Sequence, residues 1–461
     1  MKYQLDKDKI QSFLIGKNNT YSYKRRNNVY VLPLPTRSIE RAKFENGFSA
    51  VLSAVLRIID GRLVEFKHED FPIDSIISEG KFDSELTSDI FKSYLEKEFQ
   101  SIAKAEVITV EHLKYIPLPD DKNEAKGQMA FIQFFYDVFV SEHKEELKSI
   151  LSTLESQNIL SDIISISLAN STTNTLKSNY RMLFPNLSEL FVEDLKTLSS
   201  NSKFFIENIE ELFVHYCFIA LSQIVLQTNK FTQFDSEHLH KIVFMLQTEK
   251  ASKWRDGYKF GFQLLKDQIN EFYTNEHLLD ILGMNTFNNG KKNQYYHDYL
   301  QFFEDAGKEA EQEFIESIYD WINNFYNNYW PLKESYKYDN QTLDTAFRDL
   351  YKVISKNVNK ELNSRYPKAF LTFVSRFYRK NGGSLGTILS LNMKQLLLLI
   401  AVSVGPKGSR IELNELWNQL ERRGVSVDHI TKDEIVKVLD KLNYLDKKSD
   451  SGDAQYVKSI L

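Results

Sequence analysis

Two short stretches of the chain come close to patterns that bind phosphate or metal ions, and both fail on a physical requirement. A P-loop needs Gly, four residues, Gly-Lys and then Ser or Thr, because backbone amides and the lysine surround the phosphate. The nearest stretch, Asn285 to Lys292, lacks the first glycine and ends in lysine. A restriction-type nuclease needs an acid at a strand end and Glu-x-Lys on the next strand. Asp120 and Glu124-Ala-Lys126 instead lie close together in one loop-like run.

The clustered histidines are His238 and His240, with Asp235 and Glu237 beside them. Residues two apart on a helix point in different directions, so this pair is poorly placed to hold a metal ion. The pattern is more typical of a solvated helix start. We therefore predict no bound metal, no cofactor and no catalytic residue, which argues against intrinsic enzymatic activity.

The charge of the chain changes sign locally. Its formal net charge is -5, so any nucleic-acid binding must rest on a local patch. Between residues 352 and 380 the one acid is Glu361. The basic residues of this stretch, which we call the basic segment, are Lys352, Lys356, Lys360, Arg365, Lys368, Arg376, Arg379 and Lys380. The first three fall four apart on one predicted helix face, where like charges cost stability unless an anion is near. The segment predicts contact with the backbone of double-stranded DNA, the alternative being an acidic partner protein.

Two further stretches have the composition of phosphate contacts. Tyr21-Ser-Tyr-Lys-Arg-Arg-Asn-Asn28 places Lys24, Arg25 and Arg26 beside two tyrosines, as in loops that grip a phosphate backbone. A solvated loop is the simpler interpretation. The connector Asn381-Gly-Gly-Ser-Leu-Gly386 is rich in glycine, so its backbone amides are candidates for approaching a phosphate.

The composition favours a mainly helical protein, because glycine and proline are scarce and long apolar residues are frequent. Residues 1–125 hold five of the nine prolines and predict a small mixed region with short extended segments. Residues 126–390 read as one helical array, including helices at 204–226 and 238–247. A lone cysteine, Cys217, and an N-terminus without an apolar signal core predict a cytoplasmic protein. The longest apolar runs look too short to span a bilayer.

Residues 391–461 predict a winged helix-turn-helix domain. The expected order is a helix from Leu391, a strand at 410–413, a helix ending before Gly424, a helix from Thr431, and strands at 444–448 and 454–461 around a turn at 449–453. Thr431-Lys-Asp-Glu434 has the spacing of a capping box. The third helix carries no Arg, Asn or Gln with which to read base edges, so this domain predicts no base-specific recognition.

Three strings carry a resemblance to a known family. They are Arg376-Phe-Tyr-Arg-Lys-Asn-Gly-Gly-Ser-Leu-Gly386, Arg422-Arg-Gly424 and Lys447 to Lys458. They resemble the DptG (DndG) family, a component of bacterial DNA phosphorothioation-dependent restriction systems. The resemblance implies a non-catalytic DNA-binding or adaptor subunit that acts on unmodified DNA with the partner subunits DptF and DptH, which are expected to carry the nucleotide-hydrolysing motifs. The alternatives are a nuclease subunit with an unrecognised active site and a pure protein scaffold.

Overall fold

The structure is a computed structural model of the 461-residue chain. It describes residues 3–16, 18–23, 31–35, 38–62, 64–107, 109–154, 176–252, 255, 257–287, 294–332, 335–337, 341–357, 360–447 and 455–461, without the side chains of residues 360, 362 and 447.

The described residues form a mainly helical fold with few strands, as the composition predicts. The helices are α1 Lys7–Leu14, α2 Ser49–Ile59, α3 Ile73–Glu79, α4 Glu85–Ala103, α5 Val110–Leu113, α6 Lys122–Phe135, α7 Lys144–Ser152, α8 Pro185–Leu198, α9 Ser202–Thr228, α10 Phe262–Leu282, α11 Tyr296–Ala306, α12 Lys308–Asp320, α13 Asn327–Tyr329, α14 Leu343–Asn357, α15 Lys360–Tyr378, α16 Met393–Val404, α17 Leu413–Arg422 and α18 His429–Lys441. The strands are β1 Val243–Leu246, β2 Arg379–Asn381, β3 Thr387–Leu391, β4 Arg410–Glu412, β5 Ser426–Val427, β6 Leu445–Lys447 and β7 Gln455–Lys458.

The chain forms two compact units, each assembled from separate stretches. Unit 1 comprises Met1–Leu32, Leu221–His240 and Leu264–Leu371, and unit 2 comprises Pro33–Ala220, Lys241–Gln263 and Thr372–Leu461. The division by sequence into residues 1–125, 126–390 and 391–461 stays a prediction.

Unit 2 contains a four-stranded sheet in the order β2-β3-β1-β5. β1 is parallel to both β3 and β5, with Met245 opposite Ser390 and Val243 opposite Ser426. The helix predicted over residues 238–247 is therefore wrong. The run Ile242-Val-Phe-Met-Leu246 is apolar throughout and largely buried, as parallel strands covered on both faces are. Such a short apolar run has no periodicity that separates a strand from a buried helix.

The longest apolar helix of the described residues is α9. It is long and apolar enough to cross a membrane, which corrects the expectation that every apolar run is too short. Its most apolar window is 89% buried inside the protein, however, which is typical of a core helix. Within unit 2, Phe213 of this helix stacks on Phe135 of α6 with ring centroids 4.3 Å apart, and Phe191 of α8 packs edge-on against Phe213 at 5.4 Å.

At Gly127, in unit 2, the backbone of the short helical turn Ile39–Ala42 lies very close to helix α6. A Cβ atom at this position of α6 would lie 1.9 Å from the carbonyl oxygen of Arg41, in the short helical turn Ile39–Ala42. Gly127→Ala is therefore expected to force the two segments apart at a cost of about 3 kcal/mol, against a gain of about 1 kcal/mol in helix propensity. The net loss of about 2 kcal/mol is measured by urea denaturation. Gly16→Ala is the control, because its Cβ would meet nothing closer than 3.6 Å; equal losses for both variants would contradict the close approach.

Residues 393–458 follow the order α16, β4, α17, β5, α18, β6, β7, with the strands β4, β7 and β6 in one antiparallel sheet. The predicted start of the third helix is wrong by two residues. α18 begins at His429 and its N-cap is Asp428, whose side chain accepts a hydrogen bond from the Thr431 amide at 2.9 Å. Thr431 itself is buried: its hydroxyl accepts from Arg255 at 2.6 Å and donates to Glu249 at 3.2 Å. The predicted wing turn, residues 449–453, lies outside the described residues.

Candidate nucleic-acid interface

The first basic side chains of the basic segment lie on α14, in unit 1. One face of this helix is buried, including Leu350, Val353 and Ile354, so the opposite face is left to solvent. Lys352 and Lys356 are exposed on α14, one helical turn apart. The Lys352 ammonium lies 2.9 Å from an Asp349 carboxylate oxygen. Among the described residues, Lys356 has neither an ion pair nor a hydrogen bond through its side chain.

The start of α15 continues the segment, also in unit 1. Lys360 is its first residue, and the side chain of Lys360 is not described. Arg365 donates to Glu361 at 2.5 Å, one turn earlier on the helix. Glu361 therefore offsets the charge of Arg365. Its charge is not available exclusively to Lys360. Lys368 is exposed.

Two basic residues at the end of the basic segment, in unit 2, donate hydrogen bonds to backbone carbonyls. The Arg376 guanidinium donates from Nε to the Phe44 carbonyl at 2.9 Å and from Nη2 to the Glu45 carbonyl at 3.0 Å. The Lys380 ammonium donates to the carbonyls of Leu246 at 2.9 Å and Gln247 at 2.8 Å, and also to that of Glu249. Burial lowers the pKa of Lys380. These two side chains hold neighbouring segments of unit 2 in place, and the three carbonyls around Lys380 leave its ammonium little capacity for a phosphate.

Arg379 differs from both of these neighbours. It is exposed on β2, and within the described part of the chain its side chain contacts no carboxylate. Of the three basic-segment residues in unit 2, Arg379 is therefore the one whose side chain supports no backbone carbonyl among the described residues.

The glycine-rich connector is a tight hairpin turn between the antiparallel strands β2 and β3. The Gly382 amide donates to the Gly386 carbonyl at 2.7 Å, and the Gly386 amide donates to the Gly383 carbonyl at 3.1 Å. The Gly383 amide donates to the Asn381 side chain at 3.0 Å. These amides close the turn on itself, so the expectation that they approach a phosphate is not supported by the geometry.

The same turn contains a spacing found in some catalytic serine motifs. Gly382-Gly-Ser-Leu-Gly386 matches the Gly-x-Ser-x-Gly pattern of a nucleophile elbow. That elbow requires a turn from a strand into a helix, which raises the serine above the end of a sheet. Here the turn joins two antiparallel strands, and Ser384 lies exposed at its tip. The sequence pattern is therefore present without the strand-to-helix turn that a nucleophile elbow requires.

The aromatic residues of the loop 21–28 face the interior of unit 1. The Tyr21 hydroxyl lies 2.7 Å from His277 Nε2, and the buried Tyr23 donates to Asp280 at 2.6 Å. These two rings are therefore not a platform for stacking bases. Lys24, Arg25 and Arg26 lie outside the described residues, so their part in an interface stays a prediction.

The other near-motifs have structural roles. The Asp121 side chain caps α6 by accepting from the Glu124 amide at 2.8 Å, so Glu124 and Lys126 lie on one helix and not on a strand. The expectation of a helix start at the histidines is wrong. His240 lies in non-helical backbone, and its amide donates to the Gln223 side chain at 2.7 Å. No group of three or more potential metal ligands occurs among the residues that the structure describes.

Unit 2 contains buried ion pairs that the sequence does not predict, because their residues form no recognisable motif. The Lys114 ammonium lies 2.7 Å from Asp60 and 2.7 Å from Glu111. The second Glu111 oxygen accepts from Arg62 at 3.2 Å and from Tyr115 at 3.0 Å. An Asp, a Glu and a Lys also form restriction-nuclease sites, but here cationic and hydroxyl donors already occupy the carboxylates. This arrangement favours a structural role.

The chain matches no protein-family model, and no curated protein matches it significantly.

Proposed function

We propose that this protein is a non-catalytic DNA-binding and adaptor subunit that holds the phosphate backbone of double-stranded DNA. The observation that carries the proposal is the exposed pair Lys352 and Lys356 on α14, with Asp349 as the only carboxylate paired to either of them among the described residues. Neutralising phosphates with Lys and Arg releases counterions, which is the main sequence-independent source of DNA affinity. The basic residues on the following helix extend the same chemistry along the chain.

The C-terminal elements support a winged helix-turn-helix as the second part of this proposal. Their order and the β4-β7-β6 sheet fit that domain type. The exposed face of α18 does not favour reading bases, because it carries Asp433 and Asp440 as well as Lys441, and because Lys437 is paired with Glu434 at 2.6 Å. We assign this domain to packing against a protein and DNA contact to the basic segment.

The resemblance to the DptG family supplies the cellular setting of the proposal. The subunit would act in the cytoplasm, in a phosphorothioation-dependent restriction complex with DptF and DptH, against DNA that lacks sulfur in its backbone. An adaptor that brings nucleotide-hydrolysing partners to DNA needs backbone affinity more than sequence specificity. This matches side chains that offer charge without donors arranged for base edges.

The double variant Lys352→Gln/Lys356→Gln is expected to weaken binding to all duplex sequences about equally. Each lost phosphate contact should reduce the slope of log affinity against log salt by about 0.9, so the pair should reduce it by about 2. The measurement is fluorescence anisotropy of a labelled duplex over a salt series. Lys437→Gln/Lys441→Gln is the matched control, since it removes the same number of charges from a helix of the domain assigned to protein packing. An unchanged slope for the first variant, or a larger loss for the control, would place the DNA contact elsewhere.

Other outcomes distinguish the alternative functions. A nuclease subunit would show metal-dependent cleavage by the purified chain, abolished by a single substitution in it. A protein scaffold would leave DNA binding unchanged in Lys352→Gln/Lys356→Gln while assembly with DptF and DptH fails. Arg376→Ala and Lys380→Ala separate folding from binding, because these side chains support backbone carbonyls and their loss should lower stability instead of the salt slope.

A further inference from the structure

An apolar stripe runs along the N-terminal half of α4, in unit 2. Leu86, Ile90 and Tyr94 are 69%, 62% and 52% exposed, although each is large and hydrophobic. Residues four apart lie on one helix face, so the three side chains form a continuous ridge. The buried residues of α4 are Leu95, Phe99 and Ile102, all in its C-terminal half. The N-terminal half therefore presents an apolar face that no described residue covers.

Opposite charges stand at the two ends of this stripe. Asp83 precedes the Ser84 N-cap, and Lys97 lies eleven residues after Leu86, which is three helical turns and therefore the same face. Both side chains are exposed, and neither has an ion pair or hydrogen bond among the described residues. Asp83 and Lys97 are equally far along the chain from Ile90. Along the chain the order is therefore an acid, three exposed apolar side chains and a base.

We propose that this face binds a second copy of the chain, with the two α4 helices antiparallel across a two-fold axis at Ile90. In that arrangement Ile90 meets its own equivalent, and Tyr94 of each copy packs near Leu86 of the other. Lys97 of each copy meets Asp83 of the other, so one surface forms the same ion pair twice. Self-complementarity of this kind is what a two-fold interface requires.

The remaining charges and the size of the stripe define the strength of the contact. Asp89 lies on one flank of the stripe, so the two copies of Asp89 stand at the wet rim, where salt screens their repulsion. Three large side chains per copy are fewer than a standard interface of about 800 Å² per partner needs. The dimer is therefore weak and concentration-dependent. The surface belongs to unit 2 and shares no residue with the lysines proposed to hold DNA.

Charge reversal tests the orientation as well as the contact. Sedimentation equilibrium of the full chain at low salt should show a monomer–dimer equilibrium. Asp83→Lys and Lys97→Asp should each weaken it at least about tenfold, because each change replaces two attractive contacts with two repulsive ones. The double variant Asp83→Lys/Lys97→Asp should restore the dimer to within about threefold of the parent, since it only exchanges the two charges. Ile90→Ser should abolish it.

Controls keep the result interpretable. Leu442→Ser removes an exposed apolar side chain elsewhere in unit 2 and should leave the equilibrium unchanged. Circular dichroism should show unaltered helix content for every variant, because each altered side chain is exposed. A parent chain that stays monomeric at all concentrations would overturn the proposal. So would single charge variants that associate like the parent, or a double variant that is not restored. Intact DNA binding in Ile90→Ser would show that a failure here is separate from the proposed DNA contact.

Discussion

Arg423→Met is expected to destabilise the protein by about 3–5 kcal/mol, because it leaves the buried Asp194 carboxylate with the Tyr216 hydroxyl but without its cationic partner. Arg423 donates to the Asp194 carboxylate at 2.8 Å and 2.5 Å, and both side chains are almost wholly buried. The same guanidinium donates to the Gln419 carbonyl at 2.9 Å and the Val402 carbonyl at 3.2 Å. Methionine matches much of the volume of arginine but supplies none of these donors. The loss is therefore mostly the cost of the stranded Asp194 charge.

The neighbouring residue provides a matched control. Arg422 is 54% exposed, and its closest carboxylate, Glu193, lies 4.0 Å away. Exposed pairs of this kind contribute about 0–1 kcal/mol, so Arg422→Met should change the free energy of unfolding little. Urea denaturation of both variants measures the difference. Similar losses for the two would mean that the Arg423–Asp194 pair does not form, whereas partial rescue of Arg423→Met by Asp194→Leu would support a stranded charge.

The second large effect is a loss of stability on acidification that originates at His277. This imidazole is fully buried in unit 1, stacked on Tyr23 with ring centroids 3.9 Å apart. Burial lowers the pKa of His277 to about 3. The unfolded chain binds a proton there near pH 6.5, whereas the folded chain does not. The stabilisation is therefore fully present above about pH 6.5 and is lost as the pH falls towards 3. Between pH 7 and pH 5 the loss from this one group is about 2 kcal/mol.

A variant comparison isolates this contribution from the other titrating groups. His277→Gln retains a group that can bond to the Tyr21 hydroxyl but does not titrate. The free energy of unfolding should therefore fall by about 2 kcal/mol less than in the parent between pH 7 and pH 5. His238→Gln serves as the control, since the His238 side chain is 80% exposed. If the parent and His277→Gln lose the same stability on acidification, His277 is not held neutral by burial.

The sequence predicts the helices well where apolar residues recur at helical spacing. The predicted order of elements over residues 391–461 is also observed in outline. The errors have a common physical origin. β1 is a short apolar run without periodicity, and its identity depends on partners at residues 387–391 and 426–427. Thr431 fits a capping box, but Arg255 and Glu249 bind its hydroxyl while Asp428 takes the cap. In both cases contacts distant in sequence decide the local structure.

The sequence predicts where the basic residues of the candidate interface lie along the chain, but not which of them are bonded to the protein itself. A run of basic residues identifies the segment, but it does not reveal that Arg376 bonds to carbonyls 331 and 332 residues away. Nor does it show that the Lys380 ammonium donates to the carbonyls of Leu246 and Gln247, at the end of β1. Lys356 and Arg379, which look equivalent to these two in the sequence, are free of such partners among the described residues. Bonds to backbone carbonyls distinguish the structural cations from those proposed to contact DNA.

The position of β1 in its sheet has a consequence for how the chain acquires its structure during synthesis. Both neighbours of this strand come from the C-terminal part of the chain, beginning at Thr387 and Ser426. At typical translation rates, the interval between the emergence of β1 and that of its first neighbour is roughly 7–30 s. During that interval both edges of an apolar strand lack their native partners, so they are open to other strands and to chaperones. Completion of this sheet is therefore a late and slow event, set by the ribosome as much as by the intrinsic folding rate.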